Sequence, residues 1–268
     1  MNKQWKLTVG AAALAMSFSA QAGVVDLFSV SQATLTDVTA GDGGLASQVS
    51  DAPDPGSILT GYRDIGVDLL TSPFGTVASI QVTGGALSFS SGSSSTATGI
   101  VQWDGDDNAT PGALNLDGTT LDLTAGGTLS AFEVSTIFSD LGYEFLIGAY
   151  TSAAQWTVIS FLSSNVPLTP AGVLSYIPFS GFTNVALCGA VNPAPGVNYI
   201  SCGSGNTAPV NLAALDALEL VLDPNGGTVS LDLTLNSVRT VPEPGVLALV
   251  GMGLMAAGFT SRRRKSQA

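Results

Sequence analysis

The sequence predicts an all-β protein: an antiparallel β-sandwich body of jelly-roll-like topology, flanked by an N-terminal signal peptide and a C-terminal single transmembrane helix. Three observations predict this arrangement. Short segments of alternating apolar and polar residues recur along the chain, turns rich in Gly, Ser and Asp separate them, and no strand–helix–strand rhythm is present. The predicted boundaries are 1–22 for the signal peptide, 23–240 for the body and 241–265 for the C-terminal segment.

The first 22 residues follow the order of a secretory signal peptide. Lys3 and Lys6 precede a mostly apolar stretch, and Ala20-Gln21-Ala22 follows it. Small residues at the −3 and −1 positions are typical of the cleavage site, so we expect signal peptidase to cut before Gly23. The alternative is an amphipathic first helix of the fold. With the signal peptide, the body leaves the cytoplasm.

The clearest strand signals lie late in the body. Apolar residues alternate with polar ones through residues 228–235, and Leu218, Leu220 and Leu222 alternate in the segment before them. Asp223–Gly227 joins the two segments and contains Asn-Gly, which predicts a β-hairpin. Similar signals predict further strands at 80–82, 87–89, 100–103, 120–123, 132–138, 143–150, 155–162 and 173–179.

The charge of the body excludes two classes of partner. Of the 20 acidic residues in the chain only Glu243 lies outside residues 23–241, which leaves 19, and of the eight basic residues only Arg63 and Arg239 lie inside, so the net charge is −17. Nucleic acids and anionic lipids both need a basic surface. We therefore expect neither as a partner, whereas an acidic surface favours solubility and cations as partners.

The body contains two cysteines, Cys188 and Cys202. An even count in an exported domain predicts a disulfide between them. A catalytic thiol would need a neighbouring base, but the chain has no His and the body has no Lys.

Residues 100–108 form the densest polar cluster of the body and allow two interpretations. Asp104, Asp106 and Asn108 are spaced like the first three ligands of a calcium loop, with Asp107 nearby. An EF-hand is excluded because Ala109 replaces the required Gly and Asn115 replaces the bidentate Glu. A looser Ca²⁺ site is one interpretation, and a polar turn of Asp, Gly and Asn is the other. No other cofactor is predicted.

Catalytic signals are weak, so we expect no enzyme. Without His, neither a Ser-His-Asp triad nor a His-based zinc site can form. A carboxylate pair for glycoside hydrolysis could in principle come from Glu133, Glu144 and Glu219. Aromatic side chains could instead provide a platform for stacking sugars or simply pack the fold: Trp103, Trp156, Tyr62, Tyr143, Tyr150, Tyr176 and Tyr199.

The C-terminal segment predicts a membrane span. Eighteen uncharged residues run from Pro244 to Ser261, close to the minimum length of a spanning helix, which we place at about 245–261. A basic tail follows at 262–265, made of Arg262, Arg263, Arg264 and Lys265. Such a cluster stays on the cytoplasmic side, which would leave the body outside. A buried core helix is the alternative.

Val241-Pro242-Glu243-Pro244, the apolar run and the basic tail together resemble the PEP-CTERM sorting signal over about the last 28 residues. The resemblance implies processing by exosortase, a membrane-embedded cysteine transpeptidase-like enzyme of Gram-negative bacteria that make exopolysaccharide. It also implies cleavage near Pro242, Glu243 and Pro244, and delivery to the cell surface or extracellular matrix. The prolines keep this junction extended and accessible.

From these observations we expect an exported protein, anchored transiently in the inner membrane, with a structural or adhesive role in exopolysaccharide or biofilm. A Ca²⁺-dependent carbohydrate-binding module is the main alternative, and a glycan-active hydrolase is a more remote one. Exosortase and signal peptidase are the expected processing enzymes, and extracellular polysaccharide is the expected ligand.

Overall fold

A computed structural model describes residues 22–49, 53–105, 113–118 and 120–242. These residues form fifteen strands, two helical turns (α1, Phe179–Thr183, and α2, Gly203–Asn206) and two 3₁₀ turns, Val185–Leu187 and Pro224–Gly226. The strands are β1 Gly23–Asp26, β2 Gln32–Asp37, β3 Ala46–Val49, β4 Asp64–Thr71, β5 Ala78–Thr83, β6 Ala86–Ser91, β7 Thr96–Trp103, β8 Ala131–Ser139, β9 Tyr143–Ser152, β10 Gln155–Ser163, β11 Val173–Pro178, β12 Val191–Ala194, β13 Val197–Cys202, β14 Ala217–Leu222 and β15 Asp232–Val241.

The strands form two antiparallel sheets. One has seven strands in the order β11-β8-β15-β6-β5-β2, with β1 also paired to β15, and the other has eight in the order β12-β13-β10-β9-β14-β7-β4-β3. The chain passes between the sheets eight times: from β2 to β3, β4 to β5, β6 to β7, β7 to β8, β8 to β9, β10 to β11, β11 to β12 and β14 to β15. This antiparallel, sandwich-like architecture with a jelly-roll-like strand order agrees with the predicted fold class. The predicted signal peptide and transmembrane helix lie outside the described residues.

One apolar core joins the two sheets. In β14 the predicted alternation is confirmed, because Leu218, Leu220 and Leu222 are buried in the core whereas Glu219 and Val221 are half-buried on the opposite face. Close approach of the sheets requires glycine at position 99 of β7. A Cβ atom there would lie 2.8 Å from Cδ2 of the Phe89 ring, which belongs to the other sheet.

The predicted hairpin at Asp223–Gly227 is wrong. β14 and β15 belong to different sheets, so this segment is a corner that carries the chain across the sandwich. Asp223 has a left-handed φ of 49°, and both of its carboxylate oxygens accept the Thr228 N–H at 3.0 Å. β15 begins only at Asp232, and Val229 is exposed. Leucines of β14 and β15 enter the same core from opposite sheets. Apolar residues alternate in the same way in a hairpin, so the sequence pattern alone could not distinguish the two arrangements.

Residues 120–123 are also not a strand. Leu121 makes only an isolated bridge to Leu215, because the chain turns at once and the Asp122 carboxylate accepts the N–H groups of Thr124 and Gly126. The other predicted strands are confirmed as β5 to β11. The alternation in sequence did not reveal β1 to β4, β12 and β13, which are short or interrupted by polar and Gly residues.

Arg63 lies at the centre of a buried polar network. Its Nη1 contacts both carboxylate oxygens of Asp26 at 2.9 Å, and both side chains are fully buried. Nε donates to Gln32 Oε1 at 2.5 Å and Nη2 donates to the Val30 carbonyl at 2.6 Å. The Trp103 indole N–H donates to Asp26 Oδ2 at 2.8 Å. Asp26 and Gln32 belong to the seven-stranded sheet and Trp103 to the other, so the network ties the sheets together.

Cys188 and Cys202 form a disulfide with a Cα–Cα distance of 5.4 Å, as predicted. It joins the chain after the first 3₁₀ turn to the end of β13. A loop of this length stabilises a fold by about 3 kcal/mol in loop-entropy treatments. It thereby ties the 3₁₀ turn Val185–Leu187 to the end of β13.

We predict that Arg63→Met destabilises the mature protein by about 3–5 kcal/mol, because the Asp26 carboxylate would remain buried without its counter-ion. Denaturant unfolding followed by tryptophan fluorescence measures the change. Arg239→Met is the matched control: Arg239 is half-buried and makes no ion pair within the described residues, and its loss should change stability by less than about 0.5 kcal/mol. An Arg63→Met protein as stable as the control would contradict the prediction.

Candidate functional site

The outer face of the eight-stranded sheet, which points away from the core, carries the best candidate site. The strand register places the outward side chains of neighbouring strands side by side, in rows that run across the sheet. One row contains Asp64, Gln102 and Glu219, followed by Gly148. The next row contains Ile100, Val221, Leu146, Ser160 and Tyr199. Polar groups therefore border an apolar strip on this face.

A hydrogen-bonded cluster surrounds Glu219. Gln102 Nε2 donates to Glu219 Oε1 at 2.8 Å, and the Tyr150 hydroxyl donates to Glu219 Oε2 at 3.1 Å. Burial raises the pKa of the Glu219 carboxyl, and the hydrogen bonds from Gln102 and Tyr150 lower it in part. Burial, and then the charge of Glu219, raises the pKa of the Tyr150 hydroxyl. Tyr150 therefore stays a hydrogen-bond donor at neutral pH.

Two aromatic rings lie beside this cluster. Tyr150 and Trp156 are register partners on β9 and β10, with ring centroids 6.3 Å apart and planes tilted by 37°. Both are half-buried. Glycine at position 148 makes room for the tyrosine, since a Cβ atom there would lie 2.8 Å from the Tyr150 hydroxyl oxygen. The two rings therefore form a partly exposed aromatic surface next to the hydrogen-bonded carboxylate of Glu219.

A second polar cluster lies at the other end of the apolar strip. Glu144 accepts hydrogen bonds from the Ser160 hydroxyl and, at 3.0 Å, from Asn198 Nδ2. Burial, and then the nearby charge of Glu144, raises the pKa of the Tyr199 hydroxyl. Carboxylates, amides and hydroxyls around apolar and aromatic surface are the groups that bind sugars, because they match both the hydroxyls and the C–H faces of a sugar ring.

The structure divides the predicted aromatic platform. Tyr150, Trp156 and Tyr199 lie on the outer face just described. Trp103 and Tyr143 are instead buried in the core. Tyr176 is exposed on β11 of the other sheet, and Tyr62 is half-buried before β4. Period-two alternation could have assigned Tyr150 and Trp156 to the outer face, but it could not place them side by side.

The three candidate catalytic carboxylates do not come together. Glu133 lies on the seven-stranded sheet, paired with Tyr176 and Arg239. Glu144 and Glu219 share the outer face, but the register partner of Glu219 is Gly148, four residues along β9 from Glu144. Their Cα atoms are therefore about 13 Å apart along the strands. Their carboxylates also have separate hydrogen-bond partners: Gln102 and Tyr150 contact Glu219, whereas Ser160 and Asn198 contact Glu144.

The predicted calcium loop is described only at its first residue. Asp104 is buried, and its Oδ2 accepts the Asn115 N–H at 2.8 Å. Asp106, Asp107 and Asn108 lie outside the described residues. No group of three or more Cys, Asp and Glu side chains in the described ranges is arranged to hold a metal ion. The Ca²⁺ site stays a prediction.

The predicted sorting elements are described only where the body ends. Pro242 is buried directly after β15, and none of the helices between residues 22 and 242 is long and apolar enough to cross a membrane. The remaining predicted residues lie outside the described part of the chain: Ala20, Glu243, Pro244, Arg262, Arg263, Arg264 and Lys265. Of the signal-cleavage residues, Ala22 and Gly23 are described, and Gly23 begins β1.

Residues 240–265 match the family of the PEP-CTERM protein-sorting motif. The chain carries a PEP-CTERM sorting signal. The match begins at Thr240, inside β15, so the PEP-CTERM motif follows the folded body without a spacer. No recognised activity is found in the body, and no curated protein matches the chain.

Three solved structures show distant similarity to the body. PfGH50B is 11% identical, with 66% of this chain and 22% of that chain covered and a TM-score of 0.36. An exo-beta-agarase is 10% identical, with 83% and 25% covered and a TM-score of 0.37. A family 11 carbohydrate-binding module from Clostridium thermocellum is 12% identical, with 79% and 98% covered and a TM-score of 0.31. The chain thus spans about a quarter or less of the first two proteins.

Asp223, at the corner before β15, should make the free energy of unfolding depend on pH. Burial raises its pKa to about 6, and the hydrogen bonds from Thr228 oppose this shift. An acid with a higher pKa in the folded than in the unfolded state binds protons more tightly when folded. Its contribution to the free energy of unfolding therefore rises as the pH falls from about 7 to about 4, by roughly 2–3 kcal/mol.

Asp223→Asn keeps an oxygen that accepts the Thr228 N–H but cannot titrate, so this part of the pH dependence should disappear. Chemical unfolding of both proteins at several pH values from 4 to 7 measures the difference. Asp232→Asn, which neutralises an exposed carboxylate on the same end of the sandwich, is the matched control. A pH slope in Asp223→Asn equal to that of the wild type would contradict the assignment.

Proposed function

We propose that this protein is exported, processed by exosortase at its PEP-CTERM motif and delivered to the cell surface or extracellular matrix. There it has a structural or adhesive role in the exopolysaccharide layer. The match at residues 240–265 is the observation that carries the proposal, because such a signal implies an exosortase-processed, exported protein. The strongly acidic body, nearly devoid of cations, suits solubility in a hydrated matrix.

We further propose that the body adheres to polysaccharide through the outer face of the eight-stranded sheet. Trp156 and Tyr150 offer aromatic surface to sugar rings, while Asn198 and the two glutamates, which are half-buried, offer hydrogen-bond partners. Strand pairing fixes all of these groups, so little side-chain freedom is lost when a ligand binds. A neutral polymer is favoured, since every charged side chain identified on this face is a carboxylate.

This role is binding rather than catalysis. The separation of Glu144 and Glu219 supports that choice, as does the absence of His from the chain. Calcium dependence, the main alternative mode of binding, would come from Asp104 and the residues after it. The binding experiment below includes an arm that separates the two modes.

We predict that replacing Pro242, Glu243 and Pro244 with alanine blocks processing. The alanines remove the motif that exosortase reads but leave the apolar run, so full-length protein should accumulate in the membrane fraction. C-terminal peptide mass spectrometry in hosts with and without exosortase measures the outcome. The matched control replaces Pro193 and Pro195, two exposed prolines in and after β12, with alanine.

In the competent host, the wild-type and control proteins should end near residues 241–245. Recovery of peptides from Val246–Phe259 in the mature wild-type protein would show that the tail remains attached and would contradict the proposed processing. Deletion of Arg262–Lys265 should instead impair membrane retention before processing, because the basic cluster stops transfer.

We predict that Trp156→Ala weakens binding to exopolysaccharide isolated from the producing strain by about tenfold or more, as expected for loss of a central aromatic contact. Tyr176→Ala is the matched control, because it removes an exposed aromatic ring from the other sheet. Affinity electrophoresis and a glycan array, each with and without EDTA, measure binding. Equal losses in the two variants would argue against this face, and loss on EDTA treatment would favour the Ca²⁺-dependent alternative.

A further inference from the structure

The chain leading into the sorting motif is the end of an interior strand. Thr240 and Val241 pair with Phe132 and Ala131 of β8 on one side, and Thr240 pairs with Gly23 of β1 on the other. The Ser130 N–H donates to the Val241 carbonyl at 3.0 Å. Thr240, Val241 and Pro242 are all buried. Pro242 is also the first residue of the Pro-Glu-Pro triplet, so nothing separates the folded sheet from the motif.

Pairing of β1 with β15 requires a glycine at position 23. A Cβ atom there would lie 2.3 Å from Thr240 Oγ1 and 3.2 Å from Leu129 Cδ1. The distance to Thr240 Oγ1 is shorter than any real Cβ contact, so alanine at position 23 would clash with Thr240. The contact with Leu129 is longer, and the Leu129 side chain can shift to relieve it. Gly23 is also the predicted first residue of the mature chain. Gly23 therefore lies about one strand spacing, roughly 5 Å, from Thr240, two residues before the Pro-Glu-Pro triplet.

A peptide held in a sheet is a poor protease substrate. Cleavage needs several residues on each side of the bond to be free of other pairing, and a strand supplies them only when it opens locally. When opening and closing are faster than cleavage, the rate follows the population of the open form. The residues on the N-terminal side of the triplet are paired in the sheet up to Val241, the residue directly before Pro242.

We propose that the folded body restrains exosortase cleavage, because the end of β15 must detach from β1 and β8 before the triplet is cut. This inference rests on the exosortase processing proposed above. The restraint is built into the fold by the contact between Gly23 and Thr240 and by the absence of a spacer. Tail removal is consequently slow in a completely folded body and faster wherever the last strand is loosened.

Pulse–chase labelling of the full-length protein in an exosortase-competent host tests the restraint. Gly23→Ala should accelerate conversion of precursor to mature protein by roughly fivefold, because it weakens one side of the pairing of β15. Thr240→Ala removes the hydroxyl that the new methyl group would strike, so Gly23→Ala/Thr240→Ala should return toward the wild-type rate. Thr240→Ala alone controls for any effect on motif recognition, and N-terminal mass spectrometry checks that signal removal is unchanged.

A second variant leaves the fold and the N-terminus untouched. Gly-Ser-Gly-Ser inserted between Val241 and Pro242 provides the missing spacer and should accelerate processing at least as much as Gly23→Ala. The matched control places the same four residues between Gly84 and Gly85, in the hairpin turn between β5 and β6, where a Cβ atom added to either glycine would have no neighbour within 4 Å. That insertion should leave the rate unchanged.

The outcomes separate the two proposals. Wild-type rates in both the spacer variant and Gly23→Ala would overturn the restraint while leaving exosortase processing intact. Faster processing in both, with the double variant and the hairpin insertion near the wild-type rate, would support it. Persistence of the tail in every protein of the competent host would overturn the proposed processing, and the restraint with it.

Discussion

The ion pair between Asp26 and Arg63 is the contact on which the join between the two sheets depends. The body has nineteen acidic residues and two basic ones, and one of the two basic residues, Arg63, is completely buried. Arg63 contacts β1 and β2 directly and reaches β7 through the hydrogen bond between Asp26 and Trp103. Such a pair adds little net stability compared with apolar packing, yet loss of either partner is costly.

The same network affects the end of the molecule that carries the sorting motif. Asp26 belongs to β1, β1 pairs with β15, and β15 leads into Pro242. Folding of the body and accessibility of the motif therefore depend on the same short strand, β1. A domain followed by a flexible spacer would have no such connection, because its tail would be equally accessible whether or not the last strand had formed.

The two faces of the sandwich differ in chemistry. The outer face of the eight-stranded sheet combines aromatic rings, an apolar strip and two fixed carboxylate clusters, and burial raises the pKa of both the Glu219 carboxyl and the Tyr150 hydroxyl. The outer face of the seven-stranded sheet includes paired Ser and Thr residues, together with Glu133 and Arg239. Adhesion to a neutral polymer suits the first face, where shape and hydrogen bonding outweigh charge.

The sequence alone determined the fold class, strands β5 to β11 and β14, part of β15, the disulfide and the sorting motif. Each of these depends on local spacing or composition: period two for β14, an even cysteine count for Cys188 and Cys202, and residue order at the C-terminus. Only the tertiary structure decided that Asp223–Gly227 is a corner. Leucines that alternate toward a core give the same sequence pattern whether two successive strands share a sheet or belong to different sheets. The tertiary structure also decided that Tyr150 meets Trp156, that Glu144 stays apart from Glu219, and that Gly23 lies against Thr240. These are relations between residues distant in sequence, and strand register, which no local pattern encodes, sets all of them.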